Sequence, residues 1–349
     1  MTKNRVTLAD VARAAGMSRT TASLVLSGRG DEMRIAEASQ ERVRLVAAEL
    51  GYRPNMISAG LRSGTSRTLG FISDSVATSQ LAGDMIKGAL EGARRHGHML
   101  FIGEYEGDES EGERLVHAML DRQVDGVIMA SMFTRKRSVP AALANRNVVL
   151  LNTLPDGPTN HAHAILPDEL DAGRRAARLL LDRGHRDIHL IGAGPTTAEV
   201  PRETVAGRER LEGILAELAT AGVSPASGRM LSIWLPVDGW KATADLISSG
   251  VRSGAIIAFN DRIAFGAYQA IAEAGLTVPD DFSIVSFDDH QLASWVHPGL
   301  TTFAIPHFEL GLHSVETLLT TSPDAPTSVE RIAMPLRSRG SVRAVSAGD

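Results

Sequence analysis

Residues 7–28, TLADVARAAGMSRTTASLVLSG, decide the fold of the N-terminal region, because they predict two short helices joined by a tight turn. Thr7 and Ser18 are residue types that cap helices, and Gly16 can supply the turn between them. The apolar positions at helical spacing are Leu8, Val11, Ala12 and Ala15 in the first helix and Ala22, Val25 and Leu26 in the second. Such a pair is typical of a helix-turn-helix, which lays its second helix in the DNA major groove. An ordinary helical core is the alternative, because capped helix pairs also occur there.

The charges of the chain are distributed unevenly. Residues 1–67 contain 11 Lys and Arg against 6 Asp and Glu, whereas the other 282 residues contain 25 against 35. The formal net charge of -5 for the whole chain by itself argues against a nucleic-acid partner. The basic N-terminal region nevertheless indicates that this end of the chain meets DNA phosphates. A solvated basic surface is the alternative.

Four motifs carry a resemblance to a known family: VTLADVA at 6–12, SRTTAS at 18–23, ELGYRPN at 49–55 and GLR at 60–62. With them the chain resembles transcriptional regulators of the lactose-repressor and galactose-repressor (LacI/GalR) family over nearly all of its 349 residues. The resemblance implies a sequence-specific repressor whose affinity for double-stranded operator DNA changes when a small-molecule effector binds. A homodimer is also expected, because helix-turn-helix modules read operator half-sites in pairs.

Strand-like apolar runs alternate with helical patterns from residue 68 onward, which predicts parallel sheets covered by helices. The predicted strands are 68–73, 98–104, 124–130 and 148–153 in a first set and 187–193, 229–235, 253–261 and 282–289 in a second. Two sets predict an α/β core of two lobes with doubly wound parallel sheets and a ligand cleft between them. By the resemblance, this core is similar to periplasmic sugar-binding proteins.

The expected organisation begins with an all-α helix-turn-helix headpiece at 1–54 and a hinge helix or linker at 55–67. An effector-binding and dimerisation core at 68–345 follows. The resemblance implies that each lobe is discontinuous in sequence. The first lobe is expected at 69–166 with 304–334, and the second at 167–303 with 335–345.

Polar side chains around the predicted second helix are candidates for DNA contacts. Those expected to contact bases are Arg19, Thr20 and Ser23, and those expected to contact phosphates are Thr7, Ser18 and Thr21. Arg19 can make a bidentate pair with guanine O6 and N7. The role of the extra residues near Arg29–Arg34, which lengthen the link to the third helix, is open.

The segment 55–61 is the hinge helix by the resemblance, which implies that it orders on DNA and inserts a leucine into the minor groove. Asn55, Leu61 and Arg62 match this role, and Leu61 is the inserted side chain. Gly60 lowers helix propensity by about 1 kcal/mol relative to alanine, which agrees with a segment that folds only on DNA. A plain linker is the alternative.

Polar and aromatic residues near the predicted strand ends are candidates for effector contacts. They are Asn152, Asp168, Thr204, Trp234, Asn260 and Asp288. Carboxylates and amides pair with sugar hydroxyls, and an indole ring stacks on an apolar sugar face. Structural roles as caps, turn formers or core residues are the alternative for each. Their neighbours Asp261 and Asp289 are weaker candidates, for which the alternatives are a helix N-cap at Asp261 and a turn former at Asp289.

One departure from the family pattern bears on the effector. The family commonly has R-x-R-x-x-G after the first strand of the second lobe, whereas PRETVAG at 201–207 places Thr204 at the second arginine. Because that charged contact is missing, we expect a neutral effector, a sugar or a related polyol. ATSQ at 77–80 also differs from the family stretch, so the first-lobe wall is expected to be remodelled.

Other function classes find little support in the sequence. The chain has no cysteine, which excludes disulfides and thiolate chemistry. No Walker loop, G-x-S-x-G or H-E-x-x-H motif occurs, so neither an enzyme, a metal site nor a cofactor is expected. GAGPTT at 192–197 is a weak glycine pattern. His161 with His163, or His185 with His189, could pair on a metal, but positions on loops or helix ends explain them as well.

The N-terminus has no apolar run of signal-peptide length, and no run approaches the ~20 residues of a membrane span. We therefore expect a cytoplasmic, nucleoid-associated protein without membrane contact. A free sugar-binding protein is a rival that residues 1–67 disfavour. A nucleoid protein without a ligand is a second rival, which would need a cleft blocked by side chains.

Overall fold

The computed structural model describes the chain in six segments, residues 6–53, 65–79, 82–157, 162–202, 204–322 and 325–345. The chain divides into two compact units, Met1–Arg67 and Thr68–Asp349. Each unit is described by itself below. No helix within the described segments is both long and apolar enough to cross a membrane.

The described part of the N-terminal unit contains the helices α1 Leu8–Ala15, α2 Arg19–Leu26 and α3 Glu37–Glu49. Thr7 caps α1 and Ser18 caps α2, while Gly16 ends α1 in the left-handed conformation with a φ of 67°. The buried side chains that join the three helices are Val11, Ala12, Ala15, Ala22, Val25, Val43 and Ala47. The helix pair predicted within residues 7–28 is thus confirmed, together with its apolar face.

The first sheet of the core has six described strands, all parallel. They are β1 Thr68–Ser73, β2 Met99–Glu104, β3 Gly126–Arg137, β4 Val148–Pro155, β5 His163–Pro167 and β11 Val329–Ile332. The strand order is β11-β5-β4-β3-β1-β2. Separate clusters of buried apolar side chains cover its two faces, as expected for a parallel sheet between helices.

The second sheet repeats this arrangement. Its strands are β6 Ile188–Gly192, β7 Ser227–Met230, β8 Gly254–Ala258, β9 Phe282–Asp288, β10 Thr301–Ala304 and β12 Leu336–Arg337. Their order is β12-β10-β9-β8-β6-β7, and the pairs are parallel except that β12 runs antiparallel to β10. The predicted fold class, a helical headpiece followed by a two-lobed α/β core, is confirmed.

The described helices of the core are α4 Gly83–Arg95, α5 Glu109–Asp121, α6 Glu169–Asp182, α7 Val205–Thr220, α8 Pro236–Ser248, α9 Asp261–Glu273, α10 Leu292–Trp295 and α11 His307–Thr320, with a 3-10 turn at Ala141–Leu143. Helices α6 and α7 approach closely through two glycines. A Cβ on Gly173 would lie 2.2 Å from the carbonyl oxygen of Arg210, and one on Gly213 would lie 2.1 Å from that of Leu170. This packing brings Arg210 beside Glu169 at the start of α6.

Strand β7 differs most from its prediction. The run at 229–235 predicts a strand, but β7 ends at Met230, and the next five residues form a loop that leads to Pro236 at the start of α8. Trp234 therefore lies in a loop and not on a strand. The strands that the hydropathy pattern does not predict are β5, β10, β11 and β12, which are two to five residues long. Runs this short give no measurable period.

Candidate functional site

Helix α2 presents a polar face to solvent. Arg19 and Thr20 are exposed at its N-terminus, Ser23 is half-buried, and Ala22 and Val25 are buried on the opposite face. Arg19 has no hydrogen bond or ion pair with any residue that the structure describes. An exposed, unpaired guanidinium is free to donate to a base edge. The assignment of these three residues to bases stays a prediction.

The three hydroxyls expected to contact phosphates also stabilise helix N-termini. Thr7 Oγ1 donates to Asp10 Oδ2 over 2.6 Å. Ser18 Oγ accepts from the backbone N–H of Thr21 over 3.0 Å and lies 2.8 Å from Thr21 Oγ1. Helix N-termini attract phosphate groups, so capping and phosphate contact are compatible. Their contact with DNA stays a prediction.

The insertion between α2 and α3 is folded against the headpiece. Gln40, which is 2% exposed, donates through Nε2 to Asp31 Oδ1 over 2.8 Å and to the carbonyl oxygen of Ile35 over 2.9 Å. A Cβ on Gly30 would lie 2.2 Å from Gln40 Oε1. The loop therefore has a defined conformation that depends on Gly30 and Gln40.

The predicted hinge residues Asn55, Leu61 and Arg62 lie outside the described residues, as do His161 and Gln80 of the ATSQ stretch. The roles assigned to the hinge residues stay predictions.

A cleft of about 1540 Å³ lies between the two lobes of the core. Among the residues that line it are Asn152, Thr204, Trp234, Asn260 and Asp288, five of the six expected to bind the effector. Asp168 is not among them, because its carboxylate accepts from the backbone N–H of Asp171 over 3.1 Å and caps α6. The next residue, Glu169, lines the cleft instead.

Both the oxygen and the nitrogen of the Asn152 side-chain amide are hydrogen-bonded within the first lobe. Its Oδ1 accepts from Thr134 Oγ1 over 2.5 Å, and its Nδ2 lies 3.1 Å from the carbonyl oxygens of both Ser131 and Met132. Its side chain thus joins β4 to the part of β3 where their pairing register shifts. A ligand would have to displace one of these bonds to use the amide.

Asn260 caps α9, because its Oδ1 accepts from the backbone N–H of Ile263 over 2.8 Å. The expectation that Asp261 caps this helix is therefore wrong. Asp261 is the first residue inside α9, is fully buried, and accepts from Thr302 Oγ1 and from the backbone N–H of His290 over 2.7 Å each. Its carboxylate links α9 to β10 and to the loop after β9.

Thr204 and Trp234 also serve the fold. Thr204 Oγ1 accepts from the backbone N–H of Gly207 over 3.1 Å and caps α7. Trp234 Nε1 donates to the carbonyl oxygen of Gly192 over 3.2 Å. Its ring packs edge-on against Phe259, with centroids 5.7 Å apart. Both side chains line the cleft, but each also makes a hydrogen bond within the fold.

The most connected side chain at the cleft is Arg210, which the sequence analysis missed because it placed the R-x-R-x-x-G pattern on 201–207, whereas RERLEG at 208–213 fits that pattern with Arg210 as the second arginine. It is 3% exposed and makes a bidentate pair with Glu169, with Nε–Oε2 at 2.6 Å and Nη2–Oε1 at 2.9 Å. Nη1 donates to the carbonyl oxygen of Phe259 over 2.5 Å, and Nη2 donates to Asp288 Oδ1 over 3.2 Å. The guanidinium carbon lies 4.6 Å from the centre of the Phe287 ring. One buried cation thus holds two carboxylates, one of them a predicted effector residue.

Burial changes the acidity of these carboxyls. It raises the pKa of Glu169, although the charge of Arg210 opposes the change. It also raises the pKa of Asp288, against the charges of Arg210 and Arg262. Burial and the charge of Asp288 raise the pKa of Asp261 to about 8. Glu169 and Asp288 both line the cleft, and perturbed carboxyls at a cleft are typical of a functional site.

Asp288 and Asp289 share an unusual backbone conformation. Their φ angles are 109° and 54°, in the left-handed region that side chains other than glycine rarely adopt. Asp289 is held by Arg339, with Nη2–Oδ1 at 2.7 Å. The turn role expected for Asp289 agrees with this geometry. Strained residues of this kind are common at ligand sites.

An ion pair joins the two lobes beside the cleft. Arg331 of β11 donates through both Nη atoms to the carboxylate of Glu209 in α7, over 2.7 Å each. Glu209 directly precedes Arg210 in the chain. Helix α7 therefore carries, at consecutive positions, a contact to the first lobe and a contact to the cleft carboxylates.

Within the described segments, no group of three or more His, Cys, Asp or Glu side chains is arranged to bind a metal ion. His185 Nε2 lies 3.1 Å from the carbonyl oxygen of Arg343, and His189 Nδ1 lies 2.9 Å from Ser227 Oγ. These contacts give both histidines a structural role.

Comparison with known proteins covers both units of the chain. Residues 7–55 match bacterial regulatory proteins of the lacI family, and residues 177–342 match the periplasmic binding protein-like domain. The chain is 29% identical to the ribose operon repressor of Escherichia coli strain K12, over 90% of this chain and 92% of that protein. It is 30% identical to the transcriptional repressor PurR of Pasteurella multocida, over 89% of this chain and 90% of that one. The structure of the lac repressor dimer bound to operator and the anti-inducer ONPF aligns with a TM-score of 0.76 at 27% identity, over 98% of this chain and 100% of that chain.

Proposed function

Because the chain belongs to the lacI family of bacterial regulatory proteins, we propose that it represses transcription by binding operator DNA, with an affinity that a small molecule in the cleft changes. The observation that carries this proposal is the solvent face of α2, where Arg19 and Thr20 are exposed and Arg19 is unpaired within the described structure. A surface that is polar, basic and built on a short capped helix suits the major groove.

The DNA-binding role belongs to the headpiece, residues 1–54. Arg19, Thr20 and Ser23 contact bases, and Thr7, Ser18 and Thr21 contact phosphates from the N-termini of α1 and α2. The segment 55–67 is the hinge, whose Leu61 enters the minor groove, with Asn55 and Arg62 beside it. An inserted leucine unstacks a base step and bends the duplex, which increases the surface that the protein covers.

The core, residues 68–345, carries the dimer contacts. Met99 and Ile102 on β2 and Met230 on β7 are exposed apolar side chains on the outermost strands of the two sheets. A second copy packed beside these strands would shield them from water. Two headpieces would then reach the two halves of a near-palindromic operator. Such a protein works where the DNA lies, in the cytoplasm and on the nucleoid.

The cleft binds the effector, which we propose is a sugar or a related polyol, and it requires no cofactor. Trp234 offers an aromatic ring and Asp288 a partly exposed carboxylate. Binding changes the relative positions of the lobes, because α7 is joined to the first lobe through Glu209 and to the cleft through Arg210. An effector acts through the difference in its affinity for the two arrangements.

Selection of binding sites from a pool of random duplexes tests this function. The full chain should enrich a site with two related halves in inverted orientation. A variant with Arg19→Ala should enrich a site that has lost its preference at one position in each half. Recovery of no common sequence by the unaltered protein would contradict the proposal.

A further inference from the structure

One arginine at the cleft has a buried N–H without a hydrogen-bond partner among the described residues, although its charge acts on the Asp288 carboxylate beyond ion-pair distance. Arg262 lines the cleft in the first turn of α9, and its Nε is buried without a hydrogen-bond partner in the described structure. No described carboxylate oxygen lies within 4.0 Å of its guanidinium nitrogens. A buried N–H that has lost water without gaining a partner lowers stability.

The position of Arg262 on its helix adds a second unfavourable feature. The N-terminus of an α-helix carries a partial positive charge, so a cation in the first turn is repelled by the helix dipole. A side chain that lowers stability in two ways and lies at a cleft indicates a functional role. An anion at this place would remove both penalties at once.

Several other charged groups of the cleft are already paired, and Lys136, which lines the cleft without a described ion pair, is exposed. Arg135 pairs with Asp74 over 2.8 Å, and Arg210 neutralises much of the charge of Glu169 and Asp288. The remaining lining arginines without a described ion pair are Arg202, Arg208 and Arg262. Arg202 and Arg208 are exposed and so remain hydrated, whereas Arg262 is half-buried. Arg262 is therefore the cation that a ligand in the cleft would satisfy.

Building on the proposed function, we infer that the effector is an acid, a small polyhydroxylated molecule whose carboxylate or phosphate group binds Arg262. A guanidinium donates two parallel hydrogen bonds to either group. This departs from the neutral effector that Thr204 predicts. The expectation that the cleft lacks the arginine of R-x-R-x-x-G is wrong, because RERLEG at 208–213 fits that pattern and its second arginine, Arg210, reaches Asp288. Arg262, which follows β8, is an additional cation.

Thermal unfolding of the full chain tests the anion site without knowledge of the natural effector. Inorganic phosphate, compared with sodium chloride at equal ionic strength, should raise the Tm of the unaltered protein by roughly 2–4 °C at saturating concentration. It should leave the Tm of Arg262→Gln unchanged. Arg208→Gln is the matched control, because it removes the same charge from an exposed position of the same wall, and its response should equal that of the unaltered protein. Equal stabilisation of Arg262→Gln, or none of the unaltered protein, would overturn the inference.

The ligand-free Tm gives an independent readout. Arg262→Gln removes a repulsion from the helix dipole together with an attraction to Asp288, so its Tm without phosphate should change little. A clear decrease would show that Arg262 stabilises the fold through contacts of its own, and the inference would fail.

Calorimetry with glucose, glucuronate and glucose 6-phosphate then distinguishes the two anionic groups. The better-bound acid identifies the group, and Arg262→Gln should weaken its binding by about 10- to 100-fold. Tighter binding of glucose than of both acids would overturn the inference. The proposed function would survive that result, because it requires only that some effector change operator affinity.

Discussion

Helix α2 and the ligand cleft differ in how their polar side chains are exposed and paired. The side chains of α2 that face outward, such as Arg19 and Thr20, are exposed and come from one short stretch. The cleft cluster joins Arg210 to Glu169, 41 residues away in sequence, and to Asp288, 78 residues away. A surface that meets DNA can stay hydrated until it binds. A cleft that meets a small molecule is formed in advance by polar groups that bind one another.

This difference predicts that substitutions in the two regions fail in different ways. Changes on α2 should alter DNA recognition and leave stability intact, because no described contact is lost with Arg19. Changes in the cleft cluster should lower stability first, because one partner of a buried ion pair leaves the other uncompensated. The two regions can therefore be told apart by comparing unfolding with binding.

The largest expected effect is on stability, at Arg210. Arg210→Ala leaves Glu169 buried without its bidentate partner and should lower the free energy of unfolding by about 3–5 kcal/mol. Thermal unfolding of the full chain measures this loss.

Arg178→Ala is the matched control on the same pair of helices. Arg178 makes a bidentate pair with Glu217 at 2.8 and 2.9 Å, but its side chain is 59% exposed. Loss of this pair should cost only about 0–1 kcal/mol. Equal losses for both variants would show that burial is not what distinguishes the cleft cluster.

The next effect is on DNA recognition, at Arg19. Arg19→Ala should cost about 1–3 kcal/mol at one base pair of each operator half, because a bidentate contact with guanine is lost. Ser18→Ala should weaken all duplexes by a similar factor, since a phosphate contact carries no sequence information. Fluorescence anisotropy with operator variants separates the two. An unchanged base preference for Arg19→Ala would remove it from the reading face.

The sequence predicts the headpiece better than the cleft for the same physical reason. Helical spacing, caps and turn residues act within a few positions, so residues 7–28 show both the helices and their polar face. The partnership of Arg210 with Glu169 depends on how α6 packs against α7. The run RERLEG at 208–213 marks Arg210 as the second arginine of R-x-R-x-x-G, but no local pattern identifies Glu169 as its partner.

Cap residues show where the local signal is ambiguous. Asn260 and Asp261 are adjacent, and both residue types cap helices. In the structure Asn260 is the cap, because the buried carboxylate of Asp261 accepts a hydrogen bond from Thr302 instead. A contact with a distant strand, such as that of Asp261 with Thr302, cannot be predicted from the local pattern of a single sequence.

The smallest expected effect is a dependence of stability on pH. The pKa of Asp261 in the folded state is about 8, above the ordinary 3.8, so the folded protein holds a proton that the unfolded chain releases. The free energy of unfolding should therefore fall as pH rises toward 8, by at most about 1.4 kcal/mol per pH unit.

The useful window for this measurement is pH 6.5 to 8. Below pH 6.5, His307 makes the free energy of unfolding rise with pH, because burial lowers its pKa from 6.5 to about 4 in the folded state. Urea unfolding of the unaltered protein and of Asp261→Asn across the window measures the effect. An equally steep slope in the variant would assign the pH dependence to other groups.

The most direct test of the central claim is a competition measured with the full chain between its selected operator and a scrambled duplex of equal length. We expect the operator to bind at least about 10³-fold more tightly, and the affinity for both duplexes to fall log-linearly with salt concentration. Equal affinity for the two duplexes at every salt concentration would contradict the claim that the face of α2 reads DNA sequence.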